Sequence, residues 1–120
     1  MKRILFLFST LITFGAFTQT NNELQGSGAG INITTGDNNT IYGDSAGVTL
    51  TTGSGVTLIG NGAGYNITSG GSGWNVYENN HAGSNHDPAS TGIIAIGQGA
   101  GYMSTTGIDN VLLVMLLVTA

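Results

Sequence analysis

His81, His86 and Asp87 fall within seven residues of one another, and His and Asp are common metal ligands. Their spacing corresponds to no zinc motif, and the chain holds no third histidine to complete a set. The segment reads as a polar loop closed by Pro88, and no metal or other cofactor is expected. Calcium can bind between the coils of Gly- and Asp-rich repeats, but Asp37, Asp44, Asp87 and Asp109 recur at no common repeat position. Catalysis has equally little to work with. There is no cysteine, the one lysine is Lys2, and no Ser/His/Asp set is recognisable by spacing, so the chain is not expected to be an enzyme. The lone tryptophan, Trp74, with Tyr77 nearby, is the candidate for stacking against a sugar. The same Trp could instead fill an enlarged coil as a partly buried ring. Asn32-Ile33-Thr34, Asn38-Asn39-Thr40 and Asn66-Ile67-Thr68 are sequons, as an Asn/Thr-rich repeat generates by composition alone.

These residues sit on a periodic frame. Ala-Gly occurs at Ala29-Gly30, Ala46-Gly47, Ala63-Gly64, Ala82-Gly83 and Ala100-Gly101, at intervals of 17, 17, 19 and 18 residues. Thr34-Thr35-Gly36, Thr51-Thr52-Gly53, Thr68-Ser69-Gly70 and Thr105-Thr106-Gly107 each begin five residues after such an alanine. Self-similarity at a short fixed period marks a stacked architecture. Each unit holds two β-prone pieces, Ile31–Thr34 with Thr40–Tyr42 and Val48–Thr51 with Val56–Ile59. The first piece of each alternates apolar and polar residues, as a strand with one buried face does. The expected fold is therefore all-β, a β-solenoid or β-roll of about five 17–19-residue coils. In it Ile33, Leu50 and Ile67 form one interior ladder, and Ile41, Leu58 and Ala95 a second. Alanine at the Ala-Gly step suits a narrow inner corner.

Composition narrows the function further. Residues 1–18 read as a signal peptide: Lys2 and Arg3, an apolar run from Ile4 to Phe17, and small Ala16 and Thr18 near a cleavage point at Gln19. The run is shorter than the roughly 18–20 apolar residues a spanning helix needs, so no integral membrane span is expected in the mature chain. Lys2 and Arg3 are the only fixed cations, against six carboxylates. A mature chain without Lys or Arg cannot neutralise phosphates, which argues against nucleic acid, and an anionic membrane does not attract it. With no cysteine, no disulfide staples the fold. The organisation expected is signal peptide 1–18, lead-in 19–28, repeat region 29–113 and an aberrant end at 114–120.

Ile94-Ala95-Ile96-Gly97-Gln98-Gly99-Ala100 resembles the head repeat of trimeric autotransporter adhesins, whose units form a trimeric β-roll. The fuller unit, Ala-Gly, Thr-Thr-Gly, Asn-Thr-Ile and Gly, is similar to repeats of phage tail fibres and bacterial surface proteins. The resemblance covers roughly residues 26–113, though the unit length differs from that of the adhesins. It implies a secreted or cell-surface structural or adhesive fibre segment that self-associates as a homotrimer or fibre and meets surface glycans. Two other readings use the same frame. An ice-binding solenoid presents ordered Thr ladders, yet only Thr49-Leu50-Thr51 supplies an outward pair. A carbohydrate-binding β-helix module would use Trp74 and Tyr77, whereas a polysaccharide-cleaving enzyme would need a carboxylate pair on one face.

Leu113 to Val118 is wholly apolar and breaks the repeat. A genuine buried or membrane-seeking tail is one reading, though ten residues are too few to span a bilayer. The expected one is a lost base near Leu112, since CTA-TTG-GTT-ATG-CTG-CTG-GTA-ACN can encode Leu112 to Thr119 and the string shifted by one base reads Ile-Gly-Tyr-Ala-Ala-Gly-Asn. The shifted reading places an Ala at position 117, 17 residues after Ala100, and implies a longer fibre. Independent nucleotide reads are expected to show the extra base; an intact frame in all of them would refute the frameshift.

Overall fold

The computed structural model describes residues 20–68, 75–85, 91–103 and 108–114. Six three-residue strands follow one another in chain order: β1 (Glu23–Gln25), β2 (Thr40–Tyr42), β3 (Thr57–Ile59), β4 (Val76–Glu78), β5 (Ile94–Ile96) and β6 (Val111–Leu113). They form one parallel sheet in the order β1-β2-β3-β4-β5-β6. Each strand pairs with its own equivalent one coil later, Glu23 on Thr40, Thr40 on Thr57, Thr57 on Val76, Val76 on Ile94 and Ile94 on Val111. This is a β-solenoid, and the register follows the sequence period through its 19- and 18-residue steps. The stack starts earlier than the Ala-Gly motif does, because β1 lies in the segment read as a lead-in.

One expectation fails. Among the described residues each coil carries one strand, not two. Ile31–Thr34 and Val48–Thr51 bury only Ile33 and Leu50, with Ile31 exposed where a strand would turn it to the same side as Ile33, and they run through turns and bends. The cause is the glycine of the Ala-Gly step. Gly30, Gly47 and Gly64 have φ of 56°, 56° and 60°, a left-handed conformation that redirects the chain. Three residues on, Ile33, Leu50 and Ile67 donate their N–H groups back to the carbonyls of these glycines at 3.0–3.2 Å, closing turns instead of extending. A side chain could not replace the glycine. A Cβ on Gly47 would lie 2.6 Å from a methyl of Leu58.

Between coils the backbone is still fully engaged. Gly30, Gly47, Gly64 and Gly83 donate to the carbonyls of Ala46, Ala63, Ala82 and Ala100 in the next coil. Ser45, Gly62, His81 and Gly99 donate the opposite way, to Ser27, Asp44, Asn61 and Asn80 in the preceding one. Alternating direction stitches the turn face as firmly as the strand face.

The core is a thin double ladder. Ile41, Leu58, Tyr77 and Ala95 occupy one buried column at the centre of the strands, flanked by Leu24 and Leu112. Ile33, Leu50 and Ile67 form the second, facing the first across the glycines, and Ala29, Ala46, Ala63, Ala82 and Ala100 line the narrow corner. Both expected ladders and the alanine corner are present.

Beside them runs a column of mixed polarity that the sequence reading did not foresee. Asn22, Asn39 and Asn75 stand immediately before β1, β2 and β4, and buried Val56 and Ile93 before β3 and β5. Asn39 is wholly buried. Its Nδ2 donates to the Gly53 carbonyl at 2.7 Å, its Oδ1 accepts the Val56 N–H at 2.9 Å, and its own N–H donates to Asn22 Oδ1 at 2.9 Å. Asn75 Oδ1 accepts the Ile93 N–H in the same way. Each amide therefore supplies a side-chain rung where the backbone bends into the strand.

Replacing Asn39 by Ala orphans a buried N–H and a buried C=O, each costing about 1–3 kcal/mol. Denaturant unfolding of Asn39→Ala is expected to show a loss of at least about 2 kcal/mol. Asn39→Asp keeps the acceptor but loses the donor and buries a charge. Its carboxyl is favoured neutral in the fold, so its deficit is expected to shrink as pH falls; a variant as stable as the parent at neutral pH would contradict this role.

Candidate functional site

The surface is built by columns, so a side chain's repeat position decides its neighbours. Glu23, Asp37, Asp44, Glu78 and Asp109 each occupy a different position of the coil, and among the described residues no two carboxylates stack. Nor do those residues hold any group of three or more His, Cys, Asp or Glu able to bind a metal. Asp37 Oδ1 accepts the Thr20 N–H at 2.8 Å, and Asp44 Oδ2 accepts Asn61 Nδ2 at 3.3 Å. Asn80 Nδ2 continues this chain to Asn61 Oδ1 at 3.3 Å, and Asn80 Oδ1 meets Nδ1 of His81. His81 thus ends a surface amide ladder. It also takes a left-handed conformation, φ 55°, at the position held by Gly28, Gly62 and Gly99 in other coils. His86 and Asp87 lie outside the described residues, as does Trp74.

Tyr77 is in the first interior ladder, with no surface open to solvent. A ring there presents no face for a sugar to stack on. Its place is structural: it stands where other coils have Ile41, Leu58 or Ala95, in the coil reached by the 19-residue step. The small Ala95 on the next rung compensates for its volume, and Gly83 gives way beneath it, since a Cβ there would lie 2.2 Å from the ring. Burial raises the Tyr77 phenol well above its ordinary pKa.

The hydroxyls of Thr34, Thr49 and Thr51 are spent internally. Thr34 Oγ1 donates to the Thr51 carbonyl at 3.0 Å, Thr51 Oγ1 to the Thr68 carbonyl at 2.6 Å, and Thr49 Oγ1 to the Tyr65 carbonyl at 2.7 Å. The outward-facing strand positions begin polar, with Glu23, Gln25 and Thr40. They turn apolar towards β5 and β6, where Ile94, Ile96, Val111 and Leu113 are exposed.

Three tyrosines are exposed: Tyr42 on the strand face, and Tyr65 and Tyr102 on the turn face. The sequence reading passed over the last two. The signal was present in the repeat itself, because both stand two residues after the alanine of an Ala-Gly step.

No family model, no curated protein and no solved structure matches this chain. No helix among the described residues is long and apolar enough to cross a membrane.

An unfolded tyrosine ionises near pH 10, and Tyr77 in the fold does so only at higher pH. Folding therefore favours the neutral phenol, and the stability this brings, complete below about pH 10, is lost as pH rises above it. Denaturation at about pH 8 and 11 is expected to show that loss, and Tyr77→Phe to reduce it. An unchanged pH dependence in Tyr77→Phe would overturn the assignment.

Proposed function

We propose that this chain is a secreted or cell-surface fibre segment whose function is structural or adhesive, and that it works as an assembly of several copies. The β-solenoid carries this reading: each strand is laid on its equivalent one coil later, which adds length along one axis. The amino-terminal segment 1–18, read as a signal peptide, supports export, and the resemblance to adhesin heads and tail-fibre repeats supports a fibre.

Association follows from the thinness of the core. Backbone ordering costs about 1–2 kcal/mol per residue, more at glycine, and the chain has 21 glycines among 120 residues. Alanine supplies six of the buried interior positions, so little apolar area offsets that cost. No disulfide is available, and the mature chain has no fixed cation for an ion pair. Ile94, Ile96, Val111 and Leu113 meanwhile leave an apolar stripe on the strand face. A neighbouring copy covering that stripe supplies the missing burial, and a trimer is the expected state.

Light scattering on the size-separated protein is expected to give a multiple of the chain mass, three copies first. Ile94→Lys with Ile96→Lys is expected to lower it, because two charges cannot be buried unpaired. A dilute, cooperatively unfolding monomer with a β-type circular dichroism spectrum would refute the assembly.

A further inference from the structure

Tyr65 and Tyr102 occupy one column of the turn face, two rungs apart, and Ser84 holds the rung between them. The register is explicit in the backbone. Asn66 donates its N–H to the Ser84 carbonyl at 2.7 Å, and Asn85 donates to the Tyr102 carbonyl at 3.0 Å. Equivalent turns carry the three residues, since Tyr65, Ser84 and Tyr102 donate to the carbonyls of Gly62, His81 and Gly99. Both tyrosines are over 40% exposed, at 42% and 45%, while Ser84 is buried at 3%. Two rings therefore stand proud of a notch. With neighbouring rungs about 4.8 Å apart, they are roughly 9.6 Å from one another.

That separation is close to the length of one disaccharide in an extended β-linked pyranoside chain. In such a chain every second sugar presents the same face, and that face is lined by C–H groups that pack on an aromatic ring. Polar groups lie alongside. Asn66 Nδ2 donates to Asn85 Oδ1 in the next column, and Asn66 is exposed, within reach of sugar hydroxyls. Backbone bonds on both sides of the notch fix the turns that carry the rings before a ligand arrives, which lowers the backbone ordering cost of binding.

Charge selects among ligands with stackable faces. Residues 20–120 carry carboxylates and no Lys or Arg. Polyanions such as nucleic acids, uronates and sulfated glycans are repelled, and a neutral polymer is not. We infer that Tyr65 and Tyr102 form a binding site for a neutral, extended β-linked polysaccharide, one sugar stacked on each ring and the intervening sugar over Ser84.

This assignment deepens the adhesive side of the proposed function, yet its test requires neither export nor a particular oligomer. Failure to bind glycan leaves the fibre reading intact, and a monomeric protein that binds glycan leaves this one intact. Calorimetric titration of the purified protein with cellohexaose and with chitohexaose distinguishes the glucose and N-acetylglucosamine forms of the same chemistry. Binding of at least one is expected. Cellobiose and chitobiose, too short to reach both rings, are expected to bind at least tenfold more weakly, and polygalacturonate not at all. Tyr65→Ala and Tyr102→Ala are each expected to weaken hexasaccharide binding tenfold or more. Tyr65→Phe and Tyr102→Phe, which keep the ring, and Tyr42→Ala on the strand face are expected to change it less than threefold. Absence of binding at about millimolar hexasaccharide overturns the proposal. So does an equal loss in Tyr42→Ala, or a lowered oligomeric mass in Tyr65→Ala without any glycan binding, which would make the rings a contact between copies.

Discussion

Hydrogen bonding between each coil and its own equivalent in the next is the constraint on which the remaining structure depends. Once Glu23 pairs with Thr40 and Thr40 with Thr57, every residue is brought over the residue one period later. Each side chain must then be compatible with those above and below it. Interior columns of Ile, Leu and Ala meet that condition by packing, and Asn39 meets it beside Val56 by bonding to the backbone of the next coil. The acidic residues satisfy it by avoidance, since none stands directly over another among those described. Like charges about 4.8 Å apart, with no cation to offset them, would repel on every rung.

The same constraint explains how the irregular coil is tolerated. The 19-residue step before β4 leaves the register Thr57 on Val76 intact, so the extra length is absorbed between rungs instead of shifting them. Tyr77 enters the ladder in that coil, and Ala95 and Gly83 make room for it. Close packing makes volume a property of the column and not of the single residue. Asn79 and His81 of the same coil take left-handed conformations at positions that are glycine in most other coils.

For function, the columns work as a ruler. A ligand or partner with its own translational repeat can be met at successive rungs, and specificity then resides in which rungs carry rings, amides or apolar groups. Tyr65 and Tyr102 on the turn face, and Ile94, Ile96, Val111 and Leu113 on the strand face, are two such markings on different sides of the solenoid. The proposed association and adhesion would use these two faces separately.

The architecture was legible in the sequence because the period is a one-dimensional property. Intervals of 17 to 19 residues between Ala-Gly steps, with Ile33, Leu50 and Ile67 in phase, were enough to specify stacked coils, a parallel register and two interior ladders. The absence of cations after Arg3 was enough to argue against polyanionic partners. Local conformation was less accessible. Ile31–Thr34 alternates like a strand, but Gly30 at φ 56° and the N–H of Ile33 returning to it make a turn. The turn also sends Ile31 into solvent while Ile33 stays buried, which alternation alone would not separate. Tyr77 and Tyr65 show what tertiary structure alone decided. Both are single tyrosines among small residues, and only their positions in the coil, strand centre for one and turn crest for the other, send one ring into the core and the other into solvent. Asn39 is the same case, an amide buried because the coil closes there and needs a donor and an acceptor that its own backbone cannot supply.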